Sequence, residues 1–178
     1  HIVRTWDVAT GAELHRLVHD DIVQSVVFSP DGSKVVTASF DSTLHVVNII
    51  SIWDIFSGAK IQTLVQDNHN LDSVFFSPNS SQILTTNSDG SLWIWDVATG
   101  AELHRLIHNG NVKAIVFSPD GNKVATASYD GTARIWDVAN GDELHRLIHD
   151  DDVNTIVFSP DGSRVATASD DGTARAWR

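Results

Sequence analysis

The stretch Val153-Asn-Thr-Ile-Val-Phe-Ser-Pro-Asp-Gly-Ser-Arg-Val-Ala-Thr-Ala-Ser-Asp-Asp-Gly-Thr-Ala-Arg-Ala-Trp177 decides the fold. Val153–Phe158 is rich in β-branched residues and has the composition of a buried strand. Ser159–Gly162 follows as a turn, because proline presets the second turn position and glycine accepts a positive φ. Arg164–Ser169 alternates as a half-buried strand does, and Asp171-Gly172 is a two-residue hairpin signal. Thr173–Trp177 closes the segment. Just upstream, Glu143–Leu147 is a short amphipathic run after Gly141. No segment of the chain keeps a 3.6-residue period over ten or more residues, so four short strands and almost no helix are expected.

Working outward, the unit repeats. Trp95, Trp136 and Trp177 are each 41 residues apart; Trp53 precedes Trp95 by 42, and Trp6 precedes Trp53 by 47. The four prolines, Pro30, Pro78, Pro119 and Pro160, all sit in one phrase, Ser-Pro-Asp-Gly three times and Ser-Pro-Asn-Ser once. Asp96–Trp136 aligned on Asp137–Trp177 is identical at 30 of 41 positions. A period of this length marks a stack of structural modules. The expected division is a partial unit over 1–18, full units over 19–66 (with an insertion near 48–53), 67–107 and 108–148, and a unit over 149–178 without its outer strand, all in one domain.

Composition narrows the function classes. The 178 residues are 42% hydrophobic and 20% charged, which excludes a disordered tail. Acids outnumber bases 23 to 12, and the net charge of −11 repels phosphate backbones, so nucleic acid is not expected as a partner. No apolar run reaches the roughly 20 residues of a spanning helix, and no membrane association is expected. With no cysteine there is no disulfide framework, thiolate metal site or cysteine nucleophile. The chain has no methionine either, which reads as processing or as a piece of something longer.

Four strands per 40-odd residues, closing on Trp6-Asp7, Trp53-Asp54, Trp95-Asp96 and Trp136-Asp137, with Asp41, Asp89, Asp130 and Asp171 six residues before each expected tryptophan position, resemble the WD-repeat β-propeller family. The resemblance covers essentially the whole chain, and the near-identical units resemble those of some bacterial members. It implies an all-β propeller of four-stranded antiparallel blades, about four in this chain. The ring would be partial, or completed by strand exchange or association. The resemblance implies no enzyme and no cofactor.

Each unit also carries a trio that mimics a catalytic triad. His108, Thr126 and Asp130 precede Trp136, and His149, Thr167 and Asp171 precede Trp177. A hydroxyl, an imidazole and a carboxylate invite a hydrolase reading. Repetition in successive units and the absence of a Gly-x-Ser-x-Gly elbow argue against it. The resemblance implies a structural network instead, with Asp accepting from His and the turn backbone while Thr and the indole N–H complete it. Two units look incomplete. The first has His19, Thr37 and Asp41, but Val47 where Trp is due, so the strand is longer or bulged to bring Trp53 into the vacant place. The second has Thr85, Asp89 and Trp95, with Asp67 at the His offset and His69 near it.

Six of the 11 differences between the last two complete units fall at 109, 110, 111, 113, 114 and 129. One rim therefore diversifies on a constant scaffold, as binding faces of repeat arrays do. By resemblance, partner contacts fall three and five residues after the His and one before the Asp: Ile22, Gln24 and Phe40; Asn70, Asp72 and Ser88; Asn111, Lys113 and Tyr129; Asp152, Asn154 and Asp170. Asp20, Asp21, Asp150, Asp151 and Asp170 make this rim acidic, so a protein or peptide with basic segments is the expected partner. A ligand- or carbohydrate-binding propeller, or a sensor domain of a larger protein, is the alternative. Other candidates read as structural. The His104/His108, His145/His149 and His15/His19 pairs would be about 13 Å apart on strands, too far for one metal. Arg134, Arg146 and Arg175 read as covers for sheet edges. Trp93 falls outside the repeated position.

Overall fold

A computed structural model describes residues 1–41, 47–67 and 71–178, with the side chains of Phe40, Asp41 and Asp67 outside that description. Among the described residues there are 17 strands and no helix. β1 (Ile2–Trp6) and β2 (Glu13–Val18) form a two-stranded sheet. β3 (Ile22–Phe28), β4 (Lys34–Asp41), β5 (Val47–Asp54) and β6 (Lys60–Asp67) make the first four-stranded sheet. β7 (Leu71–Phe76), β8 (Gln82–Asn87), β9 (Ser91–Asp96) and β10 (Glu102–Ile107) make the second. β11 (Val112–Phe117), β12 (Lys123–Ser128), β13 (Thr132–Asp137) and β14 (Glu143–Ile148) make the third. β15 (Val153–Phe158), β16 (Val165–Ser169) and β17 (Ala174–Trp177) form a three-stranded sheet. Every sheet is a meander in which each strand pairs with its neighbour in sequence.

The chain forms two compact units, His1–Ile83 with Trp95–Ala101, and Leu84–Ile94 with Glu102–Arg178. In the first, Leu17, Val35 and Trp53 are buried together, with Val3 and Ile55 packed on them. In the second, Ala125, Ala127 and Ala133 offer a small-residue face on which Val153, Ile156 and Val165 pack, closed by Phe158 and Trp177. Short side chains on one sheet opposite branched ones on the next let the layers interlock, and each fully buried Val or Ile contributes about 1.5–3 kcal/mol.

The tandem turns have one construction. Ser29 Oγ donates to Asp31 Oδ1 at 2.6 Å and accepts from Lys34 N at 2.9 Å. The serine hydroxyl, then the Ser33 N–H and hydroxyl, hold the Asp31 carboxyl down to about 2. Asp120 and Asp161 sit in the same turn with the same shift. The second unit has Asn79-Ser80 instead, and Ser80 takes the left-handed φ of 61° that the others give to glycine.

The insertion in the first unit is a longer hairpin. β4 and β5 pair without a register shift from Lys34↔Asp54 to Asp41↔Val47. Val35↔Trp53 in this ladder matches Val124↔Trp136 in the third sheet, so Trp53 does hold the vacant tryptophan place. The bulge before it, between Ile52 and Trp53, is shared by Thr5/Trp6 and Ile135/Trp136 and so is not caused by the insertion. Asp41 is the last residue of β4, whereas Asp130 is the middle residue of the three-residue connection Tyr129-Asp130-Gly131 between β12 and β13, one residue longer than the expected two-residue hairpin.

The first histidine of two of the three His-x-x-x-His pairs packs on a turn glycine, His15 on Gly58 and His104 on Gly141. His104 lies against Gly141 (φ +77°), where an added Cβ would come within 2.9 Å of the ring Cγ, and its Nε2 is 2.9 Å from Ala139 O. Gly11 occupies the same Asp-x-x-x-Gly turn with φ +71° and open space around it. Gly11→Ala therefore measures the backbone strain alone, about 1 kcal/mol. Gly141→Ala is expected to cost about 1–3 kcal/mol more, because His104 must also move. Urea unfolding of the two variants checks this.

Candidate functional site

In the third sheet the polar chain is continuous. His108 Nδ1 is 2.9 Å from Asp130 Oδ2, and its Nε2 is 2.7 Å from Thr126 Oγ1. The Trp136 indole N–H donates to the same Thr126 oxygen at 2.9 Å. Burial lowers the His108 pKa despite the Asp130 carboxylate, so the ring is neutral. A neutral ring has one proton, and the carboxylate can only accept, so that proton is on Nδ1. Nε2 then accepts from the Thr126 hydroxyl, which in turn accepts from the indole. Thr126 is fully buried and committed to both neighbours, so it is no nucleophile.

Asp130 joins the turn to this chain. Its Oδ1 accepts from Thr132 N at 3.0 Å and from the Thr132 hydroxyl, and its Oδ2 accepts from Asn109 N at 3.0 Å. Burial alone would raise its pKa, but the Thr132, Asn109 and His108 hydrogen bonds prevail and hold it at about 2. The fourth unit repeats this geometry: His149 Nδ1 is 2.8 Å from Asp171 Oδ2, Nε2 is 2.8 Å from Thr167 Oγ1, and Trp177 donates to Thr167 at 3.0 Å. The Asp171 pKa is likewise depressed, first by the Thr173 hydroxyl.

A fifth participant is an arginine. Arg134 is 5% exposed; its Nη2 donates to Asp130 Oδ2 at 2.7 Å and its Nη1 to Ile107 O at 2.9 Å. Arg175 does the same with Asp171 at 3.0 Å and Ile148 O at 2.8 Å. The expectation that both cover sheet edges is corrected: Arg134 carries a buried ion pair and Arg175 a partly exposed one, as the fixed four-residue Asp-to-Arg spacing allows. Arg146 does lie outside, bonded to Glu143 at 2.8 Å. Trp93 holds this fifth position in the second unit and is buried, with Arg105 stacked 3.8 Å from its ring centroid. In the first unit the position is Ser51, opposite Thr37 in the ladder as Arg134 is opposite Thr126.

In the first unit the inner part of the polar chain is the same. His19 Nε2 is 2.7 Å from Thr37 Oγ1, and Trp53 donates to that oxygen at 2.9 Å, but Nδ1 is 3.0 Å from Leu17 O. In the second unit Thr85 and Trp95 are buried, and Asp89 Oδ1 accepts from Ser91 N at 2.9 Å. His69 and Asn70 lie outside the described residues, as do the side chains of Phe40, Asp41 and Asp67.

The rim residues converge in sets. Tyr129 N donates to Asn111 O at 3.0 Å, and Lys113 Nζ is 4.5 Å from the Tyr129 ring centroid. Asp170 N donates to Asp152 O at 2.9 Å, and Asn154 Nδ2 is 2.5 Å from Asp170 Oδ1. Lys113 is held protonated first by Tyr129, then by Asp152 and Asp170, so these two sets share one local field. Ile22 is opposite Phe40 in its ladder, and Ile22, Gln24, Asp72 and Ser88 are exposed. The register shift between Val112 and Ala114 leaves Lys113 as the extra residue of a bulge. The shifts between Val153 and Thr155 and between Val23 and Ser25 do the same for Asn154 and Gln24. A bulge turns a side chain off the regular pleat, a device common beside functional sites. Among the described residues no three His, Cys, Asp or Glu side chains gather as a metal site.

Meandering four-stranded sheets braced by one recurring polar chain define a β-propeller repeat protein. Residues 11–48, 58–96, 100–137 and 141–178 each match the WD40 family, "WD domain, G-beta repeat", and the chain belongs to that family. It is 31% identical over 97 residues to the Periodic tryptophan protein 2 homolog of Neurospora crassa, covering 54% of this chain and 10% of that protein. It is 35% identical over 98 residues to the WD repeat and SOCS box-containing protein 1 of Homo sapiens, covering 53% and 22%. The crystal structure of the computationally designed Ika8 protein superposes with a TM-score of 0.76 at 26% identity, over 98% of this chain and 51% of that one. The matched regions are thus a tenth to about a fifth of these two curated relatives.

Asp130→Asn takes from the buried Arg134 guanidinium the nearer of its two carboxylates, leaving Glu143 at 3.3 Å, and is expected to cost about 3 kcal/mol. Asp171→Asn should cost less, since the Arg175 side chain is 33% exposed. Thermal unfolding of both variants tests the order. Acid titration tests the charges. The folded His108 pKa lies below 6.5, so the unfolded chain takes that proton first and stability starts to fall below pH 6.5. Asp130 adds a second loss as pH drops from about 3.8 towards about 2. In denaturant series across this range, Asp130→Asn should shrink the lower step by the share of Asp130 and leave that of Asp31, Asp120, Asp161 and Asp171.

Proposed function

We propose that the chain is a non-catalytic scaffold that holds a protein partner on the rim of the second compact unit, at the bulged entries of β11 and β15. WD40 repeats are typically protein-interaction modules, and that general role is the starting point. The observation that carries the rim assignment is the recurrence of the bulge at Gln24, Lys113 and Asn154. Each of these residues is exposed. The scaffold fixes the backbone of the rim while its side chains are free to vary, which is what a binding surface on a repeat protein requires. Tyr129 is 41% exposed beside Lys113 and supplies an aromatic anchor. Asp150, Asp151 and Asp170 are exposed in the same unit, so the partner segment carries Lys or Arg and approaches by charge.

Peptides selected from a random library on the immobilised chain test the reading. They should be enriched in basic residues, and their Kd should rise severalfold between roughly 0.05 and 0.3 M salt. Tyr129→Ala should weaken them about tenfold or more while leaving the Tm nearly unchanged. Salt-independent binding, or binding indifferent to Tyr129, counts against the rim.

A further inference from the structure

The loop before β11 carries a chemical feature that the polar brace does not use. Asn109-Gly110 and Asn140-Gly141 are the two places in the sequence where glycine directly follows asparagine. In such a pair the glycine amide nitrogen can attack the asparagine carboxamide carbon, because no side chain on the glycine hinders the closing five-membered ring. The fold decides whether it does so. The glycine N–H must be free to lose its proton, and the carboxamide must be free to turn towards it.

The two pairs differ on both counts. Gly141 N donates to Asp137 O at 2.9 Å, and Asn140 Oδ1 accepts from Asp142 N at 3.0 Å. Both reacting groups are held in that turn, and both hydrogen bonds must break before they can meet. Gly110 N donates no hydrogen bond among the described residues, and the exposed Asn109 carboxamide makes none among them either. Other atoms hold this loop. Asn109 N donates to Asp130 Oδ2 at 3.0 Å, Ser128 Oγ donates to Gly110 O at 2.8 Å, and Tyr129 N donates to Asn111 O at 3.0 Å. The loop is fixed while its reactive pair stays uncommitted.

We propose that Asn109-Gly110 is a self-modification site, where the chain slowly converts a neutral asparagine into an acid. The Gly110 nitrogen forms a bond to Asn109 Cγ and the Cγ–Nδ2 bond breaks. The proton lost by Gly110 goes to the departing carboxamide nitrogen, which leaves as ammonia. Water then opens the succinimide ring. Opening at Cγ gives aspartate in an ordinary backbone. Opening at the main-chain carbonyl carbon gives isoaspartate, whose backbone runs through Cγ and is one methylene longer. Either route consumes one water, releases one ammonia and creates a carboxylate. The fourth unit already carries Asp150 at this position, 3.6 Å from Arg175 Nη2, so the aspartate form keeps the brace. The isoaspartate form cannot keep the contacts of 109, 110 and 111 together, and it loosens the loop from Asp130, Ser128 and Tyr129. The site rests on no partner.

Incubation of the full chain in neutral and mildly alkaline buffer, followed by peptide mapping with mass spectrometry, tests the site. The peptide holding Asn109 should gain one mass unit at least about tenfold faster than the one holding Asn140, since each hydrogen bond to be broken slows the reaction. The rate at Asn109 should rise with pH, as attack by a deprotonated nitrogen requires. In denaturant the two rates should come within about threefold of each other, because both sites are then bare Asn-Gly pairs. Gly110→Ala should slow the reaction severalfold in the folded and the denatured chain alike. Asn109→Asp should melt close to the natural chain, and aged chain enriched in isoaspartate should melt lower. The proposal is overturned by an inert Asn109 in the folded chain under conditions where the denatured chain converts, or by conversion at Asn140 as fast as at Asn109. It is equally overturned by insensitivity to pH or to Gly110→Ala, or by an Asn109→Asp chain that melts as low as the isoaspartate form.

Discussion

The shared oxygen of Thr126 governs this fold. It accepts an indole proton at 2.9 Å and meets an imidazole at 2.7 Å, at a fully buried point. Two strands, β12 and β13, and the loop before β11 meet through it. None of the groups involved can find water if a neighbour is lost, so each fixes the others' position. The carboxylate at the far end of the chain extends the constraint to the hairpin between β12 and β13. Tertiary geometry is thereby set by a line of directional contacts, whereas apolar packing of Ala and Val alone would tolerate sliding.

This line also explains why the rim can vary. Asn109 contributes its backbone N–H to Asp130, not its side chain, and Asp150 does the same for Asp171. Residue 109 can therefore change without touching the brace, while the exposed Asp150 side chain reaches only its outer member, Arg175, at 3.6 Å. The bulges at Lys113 and Asn154 act similarly, since an extra residue in a ladder has no cross-strand partner to satisfy. Binding and folding use adjacent atoms but different ones.

Much of this was legible in the residues. The tryptophan spacing, the Ser-Pro-Asp-Gly phrases and the Asp-Gly hairpins depend on local chemistry, and local chemistry is what a sequence displays. β15 falls on Val153–Phe158 as expected, and β14 runs one residue beyond Leu147. Trp53 could be placed as a candidate but not decided, because whether six extra residues lengthen a hairpin or bulge a strand depends on the register of β4 against β5. Arg134 and Arg175 were misjudged for a related reason. A basic residue every 41 positions looks like a solvated face, and only the Asp–Arg spacing of four hints at a pair.

The uniform meander has a consequence for how the polypeptide acquires its shape. Each strand pairs with the one made just before it, so almost every ladder closes over a short loop and the entropy lost in closing it is small. During synthesis, the partners of β12 are complete once β11 and β13 have left the ribosome. Blades can then form one after another in the order of translation, without waiting for the carboxyl end.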